Sequence, residues 1–175
     1  MEVYFVRHTT PLVDKGICYG QTDLELASTF SEEHVRVLDQ LPPAFDMVYS
    51  SPLKRCFRLA EKLKGERLLI DDRLKELDFG EWEMRSWDSL PKEKLDIWMK
   101  DYVNTAPPGG ESMMDLQQRV LGWWEELQSA NYGRVAVVSH SGIIRTMNAY
   151  LKNIPLSRAF SSIQISYGGI AVFRI

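Results

Sequence analysis

Two of the three histidines in this chain stand where chemistry is easily done. His8 comes two positions after the apolar run Val3–Val6, directly behind Arg7. His140 comes two positions after Val135–Val138, within Ser139-His140-Ser141-Gly142. Near neutral pH an imidazole can serve as nucleophile, base or metal ligand. The metal reading is the weaker one, because Arg7 would repel a cation and the chain carries no HxH or HExxH pair. Arginine points instead to an anion. Arg55, in Ser51-Pro52-Leu53-Lys54-Arg55, falls just inside a predicted helix whose N-terminus offers free N–H groups and a positive dipole end. A guanidinium grips phosphate with paired donors in a fixed fork. Taken singly, each histidine reads as a hydrogen-bonding loop residue and Arg55 as part of a solvated helix face. Taken together they read as a phosphate pocket. His34, among Glu and Arg neighbours inside a helix, reads as a surface residue.

The elements that must position these groups alternate strand and helix, the mark of an α/β layer fold. Val3–Val6, Phe45–Tyr49, Leu68–Ile70 and Val135–Val138 read as strands. In open α/β sheets ligands bind beyond the carboxyl ends of the strands, where parallel strands would place both histidines. A helix capped by Ser31 would carry Val35, Leu38 and Leu41 on one face, with Phe30 and Val35 as a hydrophobic staple, and stop at Pro42-Pro43. Ser51-Pro52 reads as a cap with proline at the first helical position, followed by Leu53, Phe57, Ala60 and Leu63 at helical spacing. Pro91 opens a helix with Leu95, Trp98 and Tyr102 on one face. Ser112-x-x-Asp115 has capping-box spacing before Leu116, Val120, Trp123 and Leu127. The C-terminal stretch, Ile163–Ile165, Tyr167-Gly168-Gly169 and Ile170–Ile175, reads as a β-hairpin. The expectation is one domain over residues 1–175: a three-layer αβα sandwich with a mostly parallel sheet and a hairpin edge.

These residues resemble the histidine phosphatase superfamily, the phosphoglycerate-mutase-like proteins. Arg7-His8-Thr9 resembles its Arg-His-Gly signature, and Ser51–Cys56 its second, arginine-bearing motif. Leu74–Glu83 looks like the segment with the proton donor, Gly109-Gly110-Glu111-Ser112 like a further family segment, and Val138–Gly142 like the second-histidine motif. The motifs run in order along nearly the whole chain. The resemblance implies a covalent phosphohistidine mechanism with no metal or organic cofactor. His8 would be the nucleophile, neutral at its attacking nitrogen. Arg7, Arg55 and His140, the last as an imidazolium, would hold the phosphoryl oxygens. Glu76 would be the general acid, with Glu81 and Glu83 as competitors and an ion pair with Lys75 or Arg73 as its structural alternative. Thr9, Ser141, Asp14 and Met84 depart from the family pattern, and Asp14 is in doubt as a phosphate ligand because an ionised carboxylate repels the substrate.

The length favours a phosphatase over a mutase with its insertions. Gly16–Asp23 resembles the alpha-ribazole phosphatase branch. That implies Tyr19 and Gly20 at the phosphate entrance, Thr22 as a hydroxyl donor, Ser141 in the phosphate-binding set, and Tyr19 or Trp87 stacking on a base. For Trp87 a place in the core is the stronger reading. The alternatives are a broad or sugar-phosphate phosphatase, a small mutase, or a binding protein that has lost turnover. Composition sets the outer bounds. The chain has 175 residues, 45% hydrophobic and 26% charged, which fits one soluble domain. A net charge of −3 does not suit nucleic acid, and no apolar run is long enough to span a bilayer. Cys18 and Cys56, without a CxxC, read as reduced thiols in a cytoplasmic protein with no leader, and Cys18 as a small buried residue. The expected partner is a small phosphate ester, with monomer and homodimer both open.

Overall fold

The computed structural model describes residues 1–175. Five strands form one sheet: β1 (Glu2–Arg7), β2 (Met47–Ser50), β3 (Leu68–Ile70), β4 (Arg134–Ser139) and β5 (Ile170–Arg174), in the order β3-β2-β4-β1-β5. β1, β2 and β3 run parallel to their neighbours through β4, and β5 pairs antiparallel with β1. β4 is buried on both faces from Val135 to Ser139, as befits a central parallel strand, and its sequence is accordingly a continuous apolar run.

Strand alternation divides the core in two. Val3 and Phe5 of β1 and Val135 and Val137 of β4 face a large cluster. It is completed by α4 (Met113–Gln128), α5 (Ser141–Leu151) and Trp98 of α3 (Lys92–Lys100). Val6, Ala136 and Val138 face the opposite cluster, with Val37 of α1 (Phe30–Leu38) and Cys56, Leu59 and Ala60 of α2 (Lys54–Ala60). The result is the three-layer αβα arrangement.

Several local expectations shift. α1 begins at Phe30 with Thr29 at its cap, so Ser31 is not the cap; Val35 is exposed and Val37 is the buried contact, which dissolves the proposed staple. α2 begins at Lys54, after an extended Leu53, so Pro52 precedes the helix; Ser51 Oγ still accepts from the Leu53 N–H at 3.4 Å. The helix over 112–128 has the full capping box between Ser112 and Asp115. The C-terminal hairpin does not form. Ala159–Ser162 is a short helix, α6, residues 163–165 pair with no strand, and β5 finds its partner in β1 instead. The turn at Gly168 (φ 68°) then serves to swing the chain over the end of β1, where Gly169 O accepts from Arg7 N.

Candidate active site

The sheet order creates a crevice at the ends of β1 and β4. The chain leaves β1 toward α1 and β2 on one side, and leaves β4 through α5 toward β5 on the other. That is a topological switch point. His8 follows β1 and His140 follows β4, and their rings lie 5.1 Å apart between centroids. His8 N donates to Ser139 O at 3.0 Å, which pins one strand end to the other.

The tautomer of His8 is set by its neighbour. Its Nδ1 lies 2.7 Å from the Thr9 carbonyl oxygen. A carbonyl only accepts, so the ring proton sits on Nδ1 and the lone pair on Nε2. Burial, then the charges of Arg55 and Arg7, hold this imidazole well below its ordinary pKa. His140 is pushed the same way by burial, Arg55, His8, Arg119 and Arg7. That direction favours the neutral ring, whereas the resemblance implies an imidazolium where His140 holds phosphoryl oxygens. Its Nε2 lies 2.8 Å from Ser51 Oγ and 3.3 Å from Cys56 Sγ.

The two arginines share one design. Arg7 Nη1 donates to Ile165 O at 2.7 Å, while its buried Nε–H has no partner. Arg55, fully buried, donates from Nη1 to Thr22 O at 2.8 Å and from Nη2 to Gly20 O, and its Nε–H is likewise unpartnered. One edge of each guanidinium is fixed to backbone and the other left open. A buried unpaired donor costs about 1–3 kcal/mol, so two beside the same histidine call for a ligand. Arg7 also lies over the ring of Tyr167 at 4.1 Å, and Arg55 over that of Tyr19 at 5.4 Å. The two tyrosine hydroxyls meet at 2.6 Å.

Glu76 is buried at the N-terminus of α5. Gly142 N donates to both carboxylate oxygens at 3.1 Å, Leu77 N to Oε1 at 3.0 Å, and Ser141 Oγ to Oε2 at 3.3 Å. Its structural alternative fails, because Lys75 pairs with Asp72 and Arg73 with Asp71 and Glu126. Of its competitors, Glu81 is exposed, and Glu83 is committed elsewhere. Glu83 accepts from Gln21 N (2.7 Å), Thr22 N (2.6 Å), Thr22 Oγ1 and Phe79 N (3.2 Å). Thr22 thus spends its hydroxyl on Glu83, and its carbonyl on Arg55, rather than facing the cavity. Gly20 acts through its backbone: a Cβ there would collide with Leu77 O. Asp14 is exposed and apart from the cavity. Cys18 is buried, with its thiol pushed up to about 12 by burial and Glu83.

A cavity of ≈ 200 Å³ opens in front of His8. Arg7, Tyr19, Glu76 and Ser141 line it, with Ile17, Phe79, Trp87, Met113 and Phe160 as apolar wall. Arg55 and His140 are fully buried beside His8 and are not among the residues that line the cavity surface. Trp87 does double duty, lining the cavity while packing edge-on to Phe79 at 5.5 Å. No three His, Cys, Asp or Glu side chains converge as a metal site would require.

Four contributors escaped the sequence reading. Gly142 leaves the space that the Glu76 carboxylate fills. Arg119 binds the carbonyls of Arg73 (2.6 Å) and Glu76 (2.9 Å) and the Glu111 carboxylate (2.6 Å), clamping the segment that carries Glu76. Tyr167 closes over Arg7. Arg145, one turn into α5, lines the cavity. Only Arg145 had a usable signal, a basic residue four positions after Ser141 on the same helix face.

Comparison with known proteins agrees with this geometry. The sequence profile of the histidine phosphatase superfamily (branch 1) matches residues 3–175. Adenosylcobalamin/alpha-ribazole phosphatase of Escherichia coli K12 is 32% identical over 89% of this chain and 81% of its own. Phosphoserine phosphatase 1 of Hydrogenobacter thermophilus is 32% identical over 78% of this chain and 63% of its own. The crystal structure of alpha-ribazole phosphatase from Shigella flexneri superposes with a TM-score of 0.85 at 25% identity, covering 100% of this chain and 91% of that one. A buried His8 under the charge of two arginines, the sheet order and a family match across nearly every residue lead to one assignment: the chain belongs to the histidine phosphatase superfamily.

Proposed function

We propose that the chain hydrolyses small phosphate monoesters through a phosphohistidine at His8. The observation that carries this is the Nδ1–Thr9 contact, which leaves the Nε2 lone pair free on a ring that the charges of Arg55 and Arg7 both act on, each arginine keeping an unpartnered Nε–H. Nε2 attacks phosphorus, a P–N bond forms, and the ester P–O bond breaks. Arg7, Arg55 and His140 carry the charge on the equatorial oxygens. A phosphate dianion beside His140 favours its charged form and opposes the push of burial and of the neighbouring arginines. Glu76 gives its proton to the departing alkoxide. A water then attacks phosphorus, passes a proton to Glu76 and breaks the P–N bond, which frees inorganic phosphate and restores His8. Ser141 steadies Glu76, Tyr19 and Gly20 shape the entrance, and Thr22 supports Arg55 through its carbonyl.

Two readings of the leaving group stand. Alpha-ribazole 5′-phosphate, in cobalamin nucleotide-loop assembly, is supported by the Gly16–Asp23 loop, by the E. coli and Shigella relatives, and by an aromatic wall of Tyr19, Phe79 and Trp87 on which a base can stack. A compact phosphorylated carboxylate is favoured by Arg145, a cation in the cavity with no anionic partner, and by the Hydrogenobacter relative. A cytoplasmic setting suits either substrate. A panel of kcat/KM values over alpha-ribazole phosphate, phosphoserine, phosphoglycerates, sugar phosphates and nucleotides tests the proposal. A preference of 100-fold or more for one monoester class supports a dedicated phosphatase. A flat profile supports a broad one, and no turnover of any monoester refutes the enzyme reading.

A further inference from the structure

Tyr167 has no part in the chemistry proposed above, and Tyr19 only shapes the entrance, yet between them they touch both arginines of the site. Each guanidinium is held by one loop in two ways. The 165–169 loop gives Arg7 the Ile165 carbonyl at 2.7 Å and the face of the Tyr167 ring, 4.1 Å from its central carbon. The 18–22 loop gives Arg55 the Gly20 and Thr22 carbonyls and the face of the Tyr19 ring at 5.4 Å. The carbonyls hold one edge of each guanidinium, and the ring against it limits how far it can tilt. The two loops then meet, with Tyr19 Oη 2.6 Å from Tyr167 Oη. Both are anchored. Gly168 N donates to His8 O at 3.1 Å and Arg7 N to Gly169 O at 2.9 Å, which brings the Tyr167 ring within 5.5 Å of the His8 ring. Glu83 holds the other loop through the Gln21 and Thr22 N–H groups. Arg7 and Arg55 are like charges that both act on His8. The negative faces of the two rings oppose that repulsion and keep the cations in place before an anion arrives.

We infer that Tyr19 and Tyr167 are positioning residues, a bridged pair of rings that orients Arg7 and Arg55 as one unit toward the phosphoryl oxygens. The inference rests on His8 as the phosphoryl acceptor. Because the tyrosines act through the arginines, their effect follows the phosphoryl group and is the same for every leaving group. Loss of a cation–π contact is worth about 2- to 30-fold. Loss of one neutral hydrogen bond is worth about 2- to 12-fold.

The test uses the full chain, nitrophenyl phosphate and glycerol 3-phosphate as substrates, and vanadate as a phosphoryl analogue. Y167L deletes the ring and should lower kcat/KM 5-fold or more, by the same factor on both esters, with vanadate inhibition weakened in parallel. Y167F keeps the ring and should lose only about 2-fold. Y19F breaks the same hydroxyl contact, so Y19F/Y167F should lose no more than either single variant. A merely structural role would lower the melting temperature without the shared factor, the rescue by phenylalanine or the non-additivity. An unchanged kcat/KM in Y167L, a loss confined to one ester, a loss in Y167F as large as in Y167L, or losses in Y19F and Y167F that multiply in the double variant overturns the inference. If Y167L does not fold, the Y19F/Y167F cycle decides alone. Wild-type turnover with unaffected variants rejects the tyrosine pair only, while no wild-type turnover of any ester rejects the phosphatase reading beneath it.

Discussion

Gly142→Ala places a single methyl group where Glu76 now sits. A Cβ at this position would lie 3.2 Å from the Glu76 Cδ and well inside contact distance of Oε1. Gly142 is helical with an ordinary negative φ, so the backbone accepts alanine without strain. The group that must yield is the end of a flexible side chain, so the collision moves the carboxylate and leaves the fold alone. That displacement breaks the Gly142 and Leu77 N–H contacts and the Ser141 hydroxyl contact that now hold it. Positioned general acid catalysis is worth about 10²–10⁴ in rate. Replacing glycine by alanine in a helix also contributes up to about 1 kcal/mol of stability. Losing the buried Glu76 contacts costs about 1–3 kcal/mol and outweighs that gain, so G142A is expected to stay folded and to melt a few degrees below the wild type. It should lose 10²-fold or more in kcat on an alkyl phosphate such as glycerol 3-phosphate, and far less on nitrophenyl phosphate, whose phenolate leaves without a proton. Glu76→Gln should give the same pattern. Equal losses on both substrates, or none on either, would refute Glu76 as the proton donor. A melting temperature lowered by many degrees would refute the steric argument.

Other consequences follow from the same contacts. His8 and His140 are neutral when folded and titrate near 6.5 when unfolded. The unfolded chain thus binds more protons below that value, and stability falls as pH drops through it. Denaturant titrations between pH 5 and 6 should show the slope lessened by up to about 1.4 kcal/mol per pH unit in H8A, and an unchanged slope would contradict the buried neutral ring. Glu83→Ala removes the anchor of residues 20–22, whose carbonyls hold Arg55. It should lower stability by about 1.5–3 kcal/mol and raise KM for every monoester; an unchanged KM would separate Arg55 from that loop. Vanadate or phosphate binding should take up a proton near neutral pH as His140 becomes charged, read from calorimetry in buffers of different ionisation enthalpy. No buffer dependence would leave His140 neutral in the complex.

Much of this site is legible in the residues because chemistry and topology coincide at strand ends. Val3–Val6 and Val135–Val138 announce central parallel strands, and each delivers its histidine two positions on. The Ser112–Asp115 cap is legible because it is purely local. What escapes is set by distant partners. Residues 163–165 carry a strand-like sequence, yet the edge of β1 is filled by β5 and these residues pair with no strand. Val35 and Val37 are equally apolar, and only the angle at which α1 meets the sheet decides which is buried. Gly142 looks like a helix weakener until Glu76, 66 positions away, is seen in its empty space. Thr22 reads as a hydroxyl donor until Glu83, 61 positions away, claims it.

The most direct test of the account is to trap the enzyme during turnover by rapid acid-free quench with phosphorus-labelled substrate and locate the label by peptide mapping. The account predicts up to one equivalent of acid-labile, base-stable phosphate on His8 and none in His8→Ala. Label on another residue, or undiminished labelling of the variant, would contradict it.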